Sequence, residues 1–343
     1  MVAVIGLTAC GGRPAGEPTS PAGRQPTGQA SQVAISSHAS GPTIAAPSDT
    51  PWPVVTATNT PAPTETPTVV VLVGAGDIAA CGAPGAEITA RLVEQVLKAS
   101  GQAPGVAVFT TGDNTNELTT DPASLEPCFD QTWGRFKELI HPALGNHEYF
   151  FSGAADYFAY FGAAAGTPGQ GWYSYDLGDW HIMVLNSECN KVGGCQAGSP
   201  QETWLKVDLA AHPARCSLAI WHRPRFSSGY HGSSPARQDL WNDLYVAGTE
   251  MLISGHDHDY ERFAPMDAEG GLDPAHGITQ FVVGTGGVPE AGAIRPVLAD
   301  NSRVVITGVY GVLELSLRPD GYDWAFVAEP GKTEGDRGSG ECH

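Results

Sequence analysis

Five apolar stretches of this 343-residue chain each end at a side chain that can bind a metal ion. They read VVVLVGAGD, GVAVFTTGD, HPALGN, CSLAIWH and EMLISGH, and they end at Asp77, Asp113, Asn146, His222 and His256. One Asp or Asn after a buried strand is usually a turn residue or a helix cap, but five such endings are hard to obtain by chance. The pattern predicts that strands deliver these side chains to a common site.

The last stretch continues as Gly255-His256-Asp257-His258, in which two imidazoles stand two residues apart behind a glycine, as metal ligands often do. Two acidic residues lie inside these motifs, Glu148 and Asp257. Both are predicted to point away from the metal ions and to serve as turn residues or as outer hydrogen-bond partners.

The secondary structure predicted around the first two stretches gives the fold class. Residues 69–76 are continuously apolar, as strands buried on both faces are. Residues 88–97 have helical spacing, and residues 106–111 give a second buried strand. This βαβ opening predicts a parallel sheet with the ligand groups at its carboxyl edge.

Helices are also predicted over residues 121–139, 201–211 and around 239–245. Residues 172–186 contain two strand-like runs around a Gly-Asp turn and predict a hairpin. Three further runs within residues 279–327 read as antiparallel strands. Helices in the first half and strands in the second predict two packed sheets with helices outside.

The N-terminus carries a short apolar run, VIGLTACGG, that resembles a bacterial lipobox with Cys10 as the lipidated residue. A chance apolar start with a stray thiol is the alternative, because the basic segment of a signal peptide is missing. Residues 11–68 are rich in Pro, Thr, Ser, Ala and Gly and cannot bury enough surface to fold. We therefore expect an anchor segment at 1–10, a disordered linker at 11–68 and a folded domain at 69–343. No later segment approaches the ~18 to 20 apolar residues of a membrane span.

Seven cysteines are present, and lipidation of Cys10 would leave six. An even number in an exported domain favours disulfides over zinc ligation, for which no C-x-x-C pair exists. Six cysteines allow fifteen connectivities. The preferred pairing is Cys81 with Cys128, Cys189 with Cys195, and Cys216 with Cys342.

The chain has 18 Lys and Arg against 37 Asp and Glu, a formal charge of −19. This balance argues against a nucleic-acid-binding surface, because neutralising phosphates needs clustered Lys and Arg. A small anionic substrate remains compatible, since bound metal ions supply a local positive charge.

A dinucleotide-binding fingerprint is a rival interpretation of the first stretch. Residues 74–79 fit G-x-G-x-x-A after a strand, and Asp113 ends the next strand. In such a site the helix begins at once, whereas Pro84 and Gly85 intervene here before the helical spacing starts.

Together, the motifs ending at Asp77, Asp113, residues 145–148, His222 and residues 255–258 resemble the calcineurin-like metallophosphoesterase superfamily. The segments His-Arg-Pro from His222 and Gly-His-Asp-His-Asp-Tyr-Glu-Arg from Gly255 are similar to its purple-acid-phosphatase-like branch. The resemblance covers roughly residues 69 to 343. It implies an α/β fold, namely a four-layer α-β-β-α sandwich of two mixed sheets flanked by helices, with a dinuclear metal site at the strand carboxyl ends.

The resemblance also implies two metal ions, either iron, zinc or manganese, that share a bridging carboxylate. It assigns Asp77 and His258 to one ion, Asn146, His222 and His256 to the other, and Asp113 to both. The chemistry supports this assignment, because two ions ~3.5 to 4 Å apart need a shared anionic oxygen, and carboxylate, amide oxygen and imidazole suit these metals.

Two further histidines resemble catalytic residues of the branch. His147 follows the ligand Asn146 and would stabilise the transition-state charge or protonate the leaving oxygen. His231 stands nine residues beyond His222, similar to a substrate-pocket histidine of the purple acid phosphatases. A solvent-exposed loop histidine is the alternative at that position, because Ser and Gly residues surround it.

Two positions depart from the family pattern. The superfamily places a His two residues after the first Asp, where this chain has Ala79. The purple branch places a Tyr three residues after the bridging Asp, where this chain has Asn116. We therefore expect Asn116 or an extra water to complete the ligands of the Asp77 metal, and a site without purple colour.

The resulting prediction is an exported, lipid-anchored phosphoesterase outside the cell that hydrolyses phosphate monoesters by attack of a metal-activated water. Its partner would be a small phosphorylated substrate, not a nucleic acid, and it would contact a membrane only through Cys10. The alternatives are a phosphodiesterase or nucleotidase with the same site, and a non-catalytic surface binding module that has lost a metal.

Overall fold

The computed structural model describes residues 68–343 except 102, 104, 117–124, 151 and 289–293. Cys10 and the predicted linker up to residue 67 lie outside the described residues. In the described part, the α-helices are α1 (Gly85–Ala99), α2 (Ala155–Phe161), α3 (Pro200–Ala211) and α4 (Gln238–Val246). The strands are β1 (Val70–Ala75), β2 (Val106–Thr110), β3 (Ile140–His141), β4 (Tyr173–Leu177), β5 (Trp180–Val184), β6 (Cys216–Ile220), β7 (Met251–Ser254), β8 (Tyr260–Phe263), β9 (Thr279–Val283), β10 (Ser302–Ile306), β11 (Gly311–Arg318), β12 (Gly321–Ala328) and β13 (Arg337–Glu341).

These strands form two mixed sheets. The first has six strands in the order β13-β12-β11-β1-β2-β3, in which β1, β2 and β3 are parallel and β11 is antiparallel to β1. The second has seven strands in the order β10-β8-β9-β7-β6-β5-β4, in which β5, β6, β7 and β9 are parallel. Each sheet therefore has an edge where the carboxyl ends of parallel strands meet.

The alternation of apolar side chains along the second sheet shows what covers each of its faces. Leu218 and Ile220 of β6 belong to the same buried core as β1 and α1, whereas Ala219 packs in a separate core with α3 and α4. Because successive side chains of a strand point to opposite faces, the second sheet lies between the first sheet and these two helices. Helix α1 contacts β1 and β11 of the first sheet. The expected fold of two mixed sheets flanked by helices is confirmed.

The main departure from the predicted secondary structure is the helix expected over residues 121–139. Its described part contains a π-helical turn at Leu125–Asp130 and a 3-10 segment at Trp133–Leu139. Cys128 is bonded to Cys81, and the buried Trp133 donates from Nε1 to Thr89 Oγ1 of α1 at 3.0 Å. These tertiary contacts fix the segment in short turns and override its helical spacing.

All three predicted disulfides are present: Cys81–Cys128, Cys189–Cys195 and Cys216–Cys342. The third joins the first residue of β6 to the residue that follows β13. Among the helices of the described residues, none has both the length and the apolar character needed to cross a membrane.

Candidate metal centre

The six residues predicted as the main metal ligands follow parallel strands: Asp77 after β1, Asp113 after β2, Asn146 after β3, His222 after β6, and His256 and His258 after β7. Hydrogen bonds between their loops bring them together. The backbone N–H of Asp77 donates to Gly112 O at 3.1 Å within the first sheet's loops, and that of His256 donates to Asp77 Oδ2 at 2.8 Å between the loops of the two sheets. The carboxyl edges of the two sheets therefore meet at one place, as the sequence predicted.

His222 lies in the middle of one ligand group. Its buried ring donates from Nδ1 to Thr111 O at 2.9 Å, which leaves Nε2 as the ligand atom. Nε2 lies 3.2 Å from Asp113 Oδ2 and 3.1 Å from Asn146 Oδ1. Asp113, His222 and His256 offer ligand atoms that all lie within 4.8 Å of one another. Imidazole, carboxylate and amide oxygen converge here, a donor set that suits first-row metal ions.

Asp77 and His258 form the other ligand group. His258 Nε2 lies 3.4 Å from Asp77 Oδ1, and Asp77 Oδ2 accepts from the backbone N–H of His256 at 2.8 Å. Asp77 Oδ1 is buried and has no hydrogen-bond partner in the described part of the chain. A buried carboxylate oxygen without a partner is costly, and a bound cation would remove that cost. The residues present therefore fit metal binding.

The pKa values of the predicted ligands also fit metal binding. Burial lowers the pKa of His222, but the charge and hydrogen bond of Asp113 outweigh it and raise the pKa to about 9. Burial raises the pKa of Asp113, and the charge of His222 brings it below its usual value. Asp113 thus favours a positive charge at His222 Nε2, supplied by a proton or by a metal ion. Burial and the charges of His222 and Arg223 lower the pKa of His256, which keeps that ring in the neutral, metal-binding form.

Three predicted ligands adopt a left-handed backbone: Asp77 has a φ of 57°, Asp113 of 49° and His256 of 71°. Such values are uncommon outside glycine, cost about 1–3 kcal/mol each and concentrate at functional sites. The glycines of the motifs permit the close approach of the loops. A Cβ at Gly145 would lie 2.2 Å from Asp113 Oδ1, and one at Gly255 would lie 2.6 Å from Asp77 Oδ2.

His147 and Glu148 take different positions beside Asp113. The backbone N–H of His147 donates to Asp113 Oδ1 at 2.8 Å, and its Nε2 lies 3.7 Å from Asp113 Oδ2. Glu148 accepts backbone N–H groups from Asp113 at 3.1 Å, Asn114 at 2.7 Å and Gly145 at 2.6 Å. Burial and the charge of Asp113 raise the pKa of Glu148 to about 7. Glu148 therefore ties two ligand loops together, while the imidazole of His147 faces the site.

His231 lies against the predicted ligand His256, with ring centroids 3.9 Å apart. Its backbone N–H donates to Asp257 Oδ1 at 2.8 Å, and its Nδ1 lies 3.0 Å from the same oxygen. Asp257 also accepts from Ser227 Oγ at 2.5 Å. Asp257 was predicted to be an outer hydrogen-bond partner, and in the structure it bonds to His231. The spacing of the two residues in the sequence does not reveal this pairing.

Asn116 and Ala79, the two positions that depart from the family pattern, lie next to each other. The backbone N–H of Asn116 donates to Ala79 O at 2.8 Å. Its Nδ2 is buried and has no hydrogen-bond partner within the described residues. The proposed ligand role of Asn116 toward the Asp77 metal stays a prediction.

Arg223 and Glu188 were not singled out as site residues, although Arg223 stands inside the His-Arg-Pro motif. Arg223 donates from Nη1 to His256 Nε2 at 2.7 Å and from Nε to Glu188 Oε1 at 2.5 Å. The strand-end pattern could not find Glu188, because it lies four residues beyond the end of β5 in a loop without a recognised motif.

A second group of potential ligands, His181, Asp208 and His212, lies elsewhere. The rings of His181 and His212 are stacked, with centroids 4.6 Å apart and planes 13° apart. Because a metal ion lies close to the plane of each imidazole that binds it, two stacked rings cannot share one ion. The contact of His181 Nε2 with Asp208 Oδ2 at 2.9 Å is instead part of a hydrogen-bonded network.

The sequence is similar to those of several acid phosphatases. Purple acid phosphatase 15 of Arabidopsis thaliana is 29% identical over 192 residues, which are 50% of this chain and 35% of the relative. Acid phosphatase type 7 of Homo sapiens is 28% identical over 47% of this chain and 41% of the relative. The chain thus matches well under half of the length of these relatives.

Solved structures show the same fold. The purple acid phosphatase PPD1 from yellow lupin (Lupinus luteus) seeds has a TM-score of 0.60 at 19% identity, over 80% of this chain and 54% of that chain. GAP50 of Plasmodium has a TM-score of 0.59 at 14% identity, over 80% of this chain and 89% of that chain. The family model "Calcineurin-like phosphoesterase" matches residues 66–260, more than half of the sequence. The chain therefore belongs to the calcineurin-like phosphoesterase family, in its purple-acid-phosphatase-like branch.

Proposed function

We propose that this protein hydrolyses phosphate monoesters with the help of two metal ions. The position of Asp113 carries the proposal. Its Oδ2 lies 3.2 Å from His222 Nε2 in one ligand group, and its carbonyl accepts from the backbone N–H of Ile78, next to Asp77 in the other group, at 3.0 Å. Asp113 therefore lies beside both ligand groups, where its carboxylate could serve as the shared ligand that a pair of closely spaced ions requires.

Metal ions held there would polarise the phosphoryl oxygens and lower the pKa of a water molecule. In the hydrolysis, the water oxygen bonds to phosphorus, the P–O ester bond breaks and the leaving oxygen takes up a proton, which gives phosphate and an alcohol. His147, whose Nε2 lies 3.7 Å from Asp113 Oδ2, would donate that proton or stabilise the developing charge. His231, oriented by Asp257, would contact the substrate from the side of His256.

Family membership and relatives named acid phosphatases support phosphoester hydrolysis. The preference for monoesters is our own proposal. Initial rates with p-nitrophenyl phosphate and with bis(p-nitrophenyl) phosphate test it on metal-loaded protein. We expect the monoester to be hydrolysed faster, and faster hydrolysis of the diester would refute the monoester assignment.

A non-catalytic binding module is the second candidate, because GAP50, which has the same fold, is described as the anchor in the inner membrane complex of Plasmodium. The retention of His147 beside Asp113 favours an enzyme instead. Metal analysis of the purified protein separates the two candidates. Two equivalents of metal with turnover support the enzyme, and protein that binds no metal would leave only a scaffold.

We further propose that the domain works outside the reducing cytoplasm. Its three disulfides support this, because such bonds persist in oxidising compartments. Lipid attachment at Cys10 stays a prediction, and mass spectrometry of the membrane-extracted protein tests it.

A further inference from the structure

A cavity of about 530 Å³ opens directly beside the metal centre. His256 and His231 form one part of its wall, and Arg223, Arg237 and Glu188 form another. The cavity therefore connects the predicted site of phosphoryl transfer with two guanidinium groups. In a chain that carries 37 acidic side chains and only 18 Lys and Arg, this is a local concentration of positive charge.

The two guanidinium groups differ in what they can offer a ligand. Arg237 is 6% exposed, and it donates from Nε and Nη2 to Ser187 O and from Nη1 to Ser234 Oγ. Because these hydrogen bonds are made to protein acceptors, Arg237 contributes mainly its positive charge to the cavity. The side chain of Arg223 is 29% exposed at the cavity, held through Nε by Glu188 and through Nη1 by His256.

The contact between Arg223 and His256 cannot survive coordination of a metal ion by His256. A guanidinium only donates hydrogen bonds, so His256 Nε2 must offer a lone pair to Arg223. A neutral imidazole has one such nitrogen. An ion at Nε2 would use that lone pair, and an ion at Nδ1 would place the ring proton on Nε2. In either case Nη1 of Arg223 loses its acceptor and needs another.

We propose that Arg223 binds a second anionic group of the substrate in this cavity, and that the preferred substrates carry another phosphate close to the one that is removed. The inference rests on the proposed function, because it places the scissile phosphate at the metal centre. A planar guanidinium matches two phosphate oxygens, and the hydrogen bond from Nε to Glu188 fixes its orientation. Nucleoside diphosphates are one class with this chemistry.

The test compares ADP, whose terminal phosphate is released by breaking a P–O–P bond to leave AMP, with AMP, whose phosphate is released by breaking the ester bond to leave adenosine. Initial rates of phosphate release by the metal-loaded full chain are measured for both substrates, and each variant is compared with the wild type on the same substrate. In Arg223→Gln, we expect kcat/KM for ADP to fall about 10-fold or more relative to kcat/KM for AMP, the scale of one hydrogen bond between charged groups. Arg223→Lys keeps the positive charge but lacks the planar guanidinium that can donate to two phosphate oxygens. Its fall in kcat/KM for ADP relative to AMP should therefore be smaller. Equal losses for the two substrates would overturn the proposal, because Arg223 would then act only through His256.

Arg225→Gln is the matched control, since Arg225 also carries a guanidinium but bonds to Gln238 and is not part of the cavity wall. Its ADP to AMP ratio should equal that of the wild type, and a fall like that of Arg223→Gln would overturn the proposal. Isothermal titration of the same proteins with the α,β-methylene analogue of ADP, whose P–C–P bridge is not hydrolysed, measures ADP binding without turnover. Weaker ADP binding in Arg223→Gln supports the cavity even if no ester is hydrolysed, an outcome that would refute the proposed function alone. Unchanged ADP binding would overturn the cavity assignment.

Discussion

Glu148→Gln should destabilise the domain, because it turns one acceptor of a buried cluster into a donor. Glu148 Oε2 accepts the N–H groups of Asp113 and Gly145, and Oε1 accepts N–H and Nδ2–H from Asn114. Either orientation of the amide therefore sets an NH₂ group against two donors. Each of the two donors left without an acceptor costs about 1–3 kcal/mol, and removal of the charge that burial and Asp113 disfavour offsets part of this cost, so we expect a net loss of about 1–3 kcal/mol.

Urea unfolding of metal-free wild type and variant measures this difference. The pH should lie well above 7, because burial and the charge of Asp113 raise the pKa of Glu148 to about 7 and the charged form is the one compared. Glu94→Gln is the control, since exposed Glu94 pairs with Lys98 of its own helix and with the more distant Arg135. Solvent screens such exposed pairs, so their loss changes the free energy of unfolding little. Equal unfolding free energies for the two variants would refute the role given to Glu148.

Three other predictions concern the proposed metal ligands, the proposed catalytic histidine and the disulfides. Asp113→Ala should lose both metal ions, whereas Asp257→Ala should keep them; plasma mass spectrometry measures this, and equal metal loss would contradict the bridging assignment. His147→Ala should keep both ions and lower kcat by roughly 10²-fold or more, and unchanged turnover would make His147 a structural residue. Cys216→Ser opens a disulfide across 126 residues and should cost about 5 kcal/mol, against about 2 kcal/mol for Cys195→Ser, whose disulfide spans 6. Equal shifts in the urea midpoint would argue against loop length as the cause.

The sequence predicted which of the proposed ligands follow strand ends, because one physical pattern controls that position. An apolar strand that ends in Gly-Asp or Gly-His has its terminal side chain at the sheet edge, and Asp77, Asp113 and His256 all follow this rule. Residues whose role depends on contacts across the fold were not found in this way. Arg223 is paired with Glu188, 35 residues away, and with His256, 33 residues away, and neither spacing follows a period of a helix or a strand.

The same limit applies to the secondary structure. Helices α1 and α3 were predicted because their apolar spacing agrees with their packing. The helix expected at 121–139 was wrong in its described part, where a disulfide and the buried Trp133 decide the backbone. Strand β13 was missed because its sequence, RGSGE, has no apolar side chain to signal it.

The division of the ligands between the two sheets determines when the centre can form during synthesis. Asp77, Asp113 and Asn146 follow strands of the first sheet, and His222, His256 and His258 follow strands of the second. Each predicted ion therefore takes ligands from both sheets. A nascent chain that has not yet released residue 256 from the ribosome cannot hold either ion fully, and metal uptake would report the docking of the two halves of the domain.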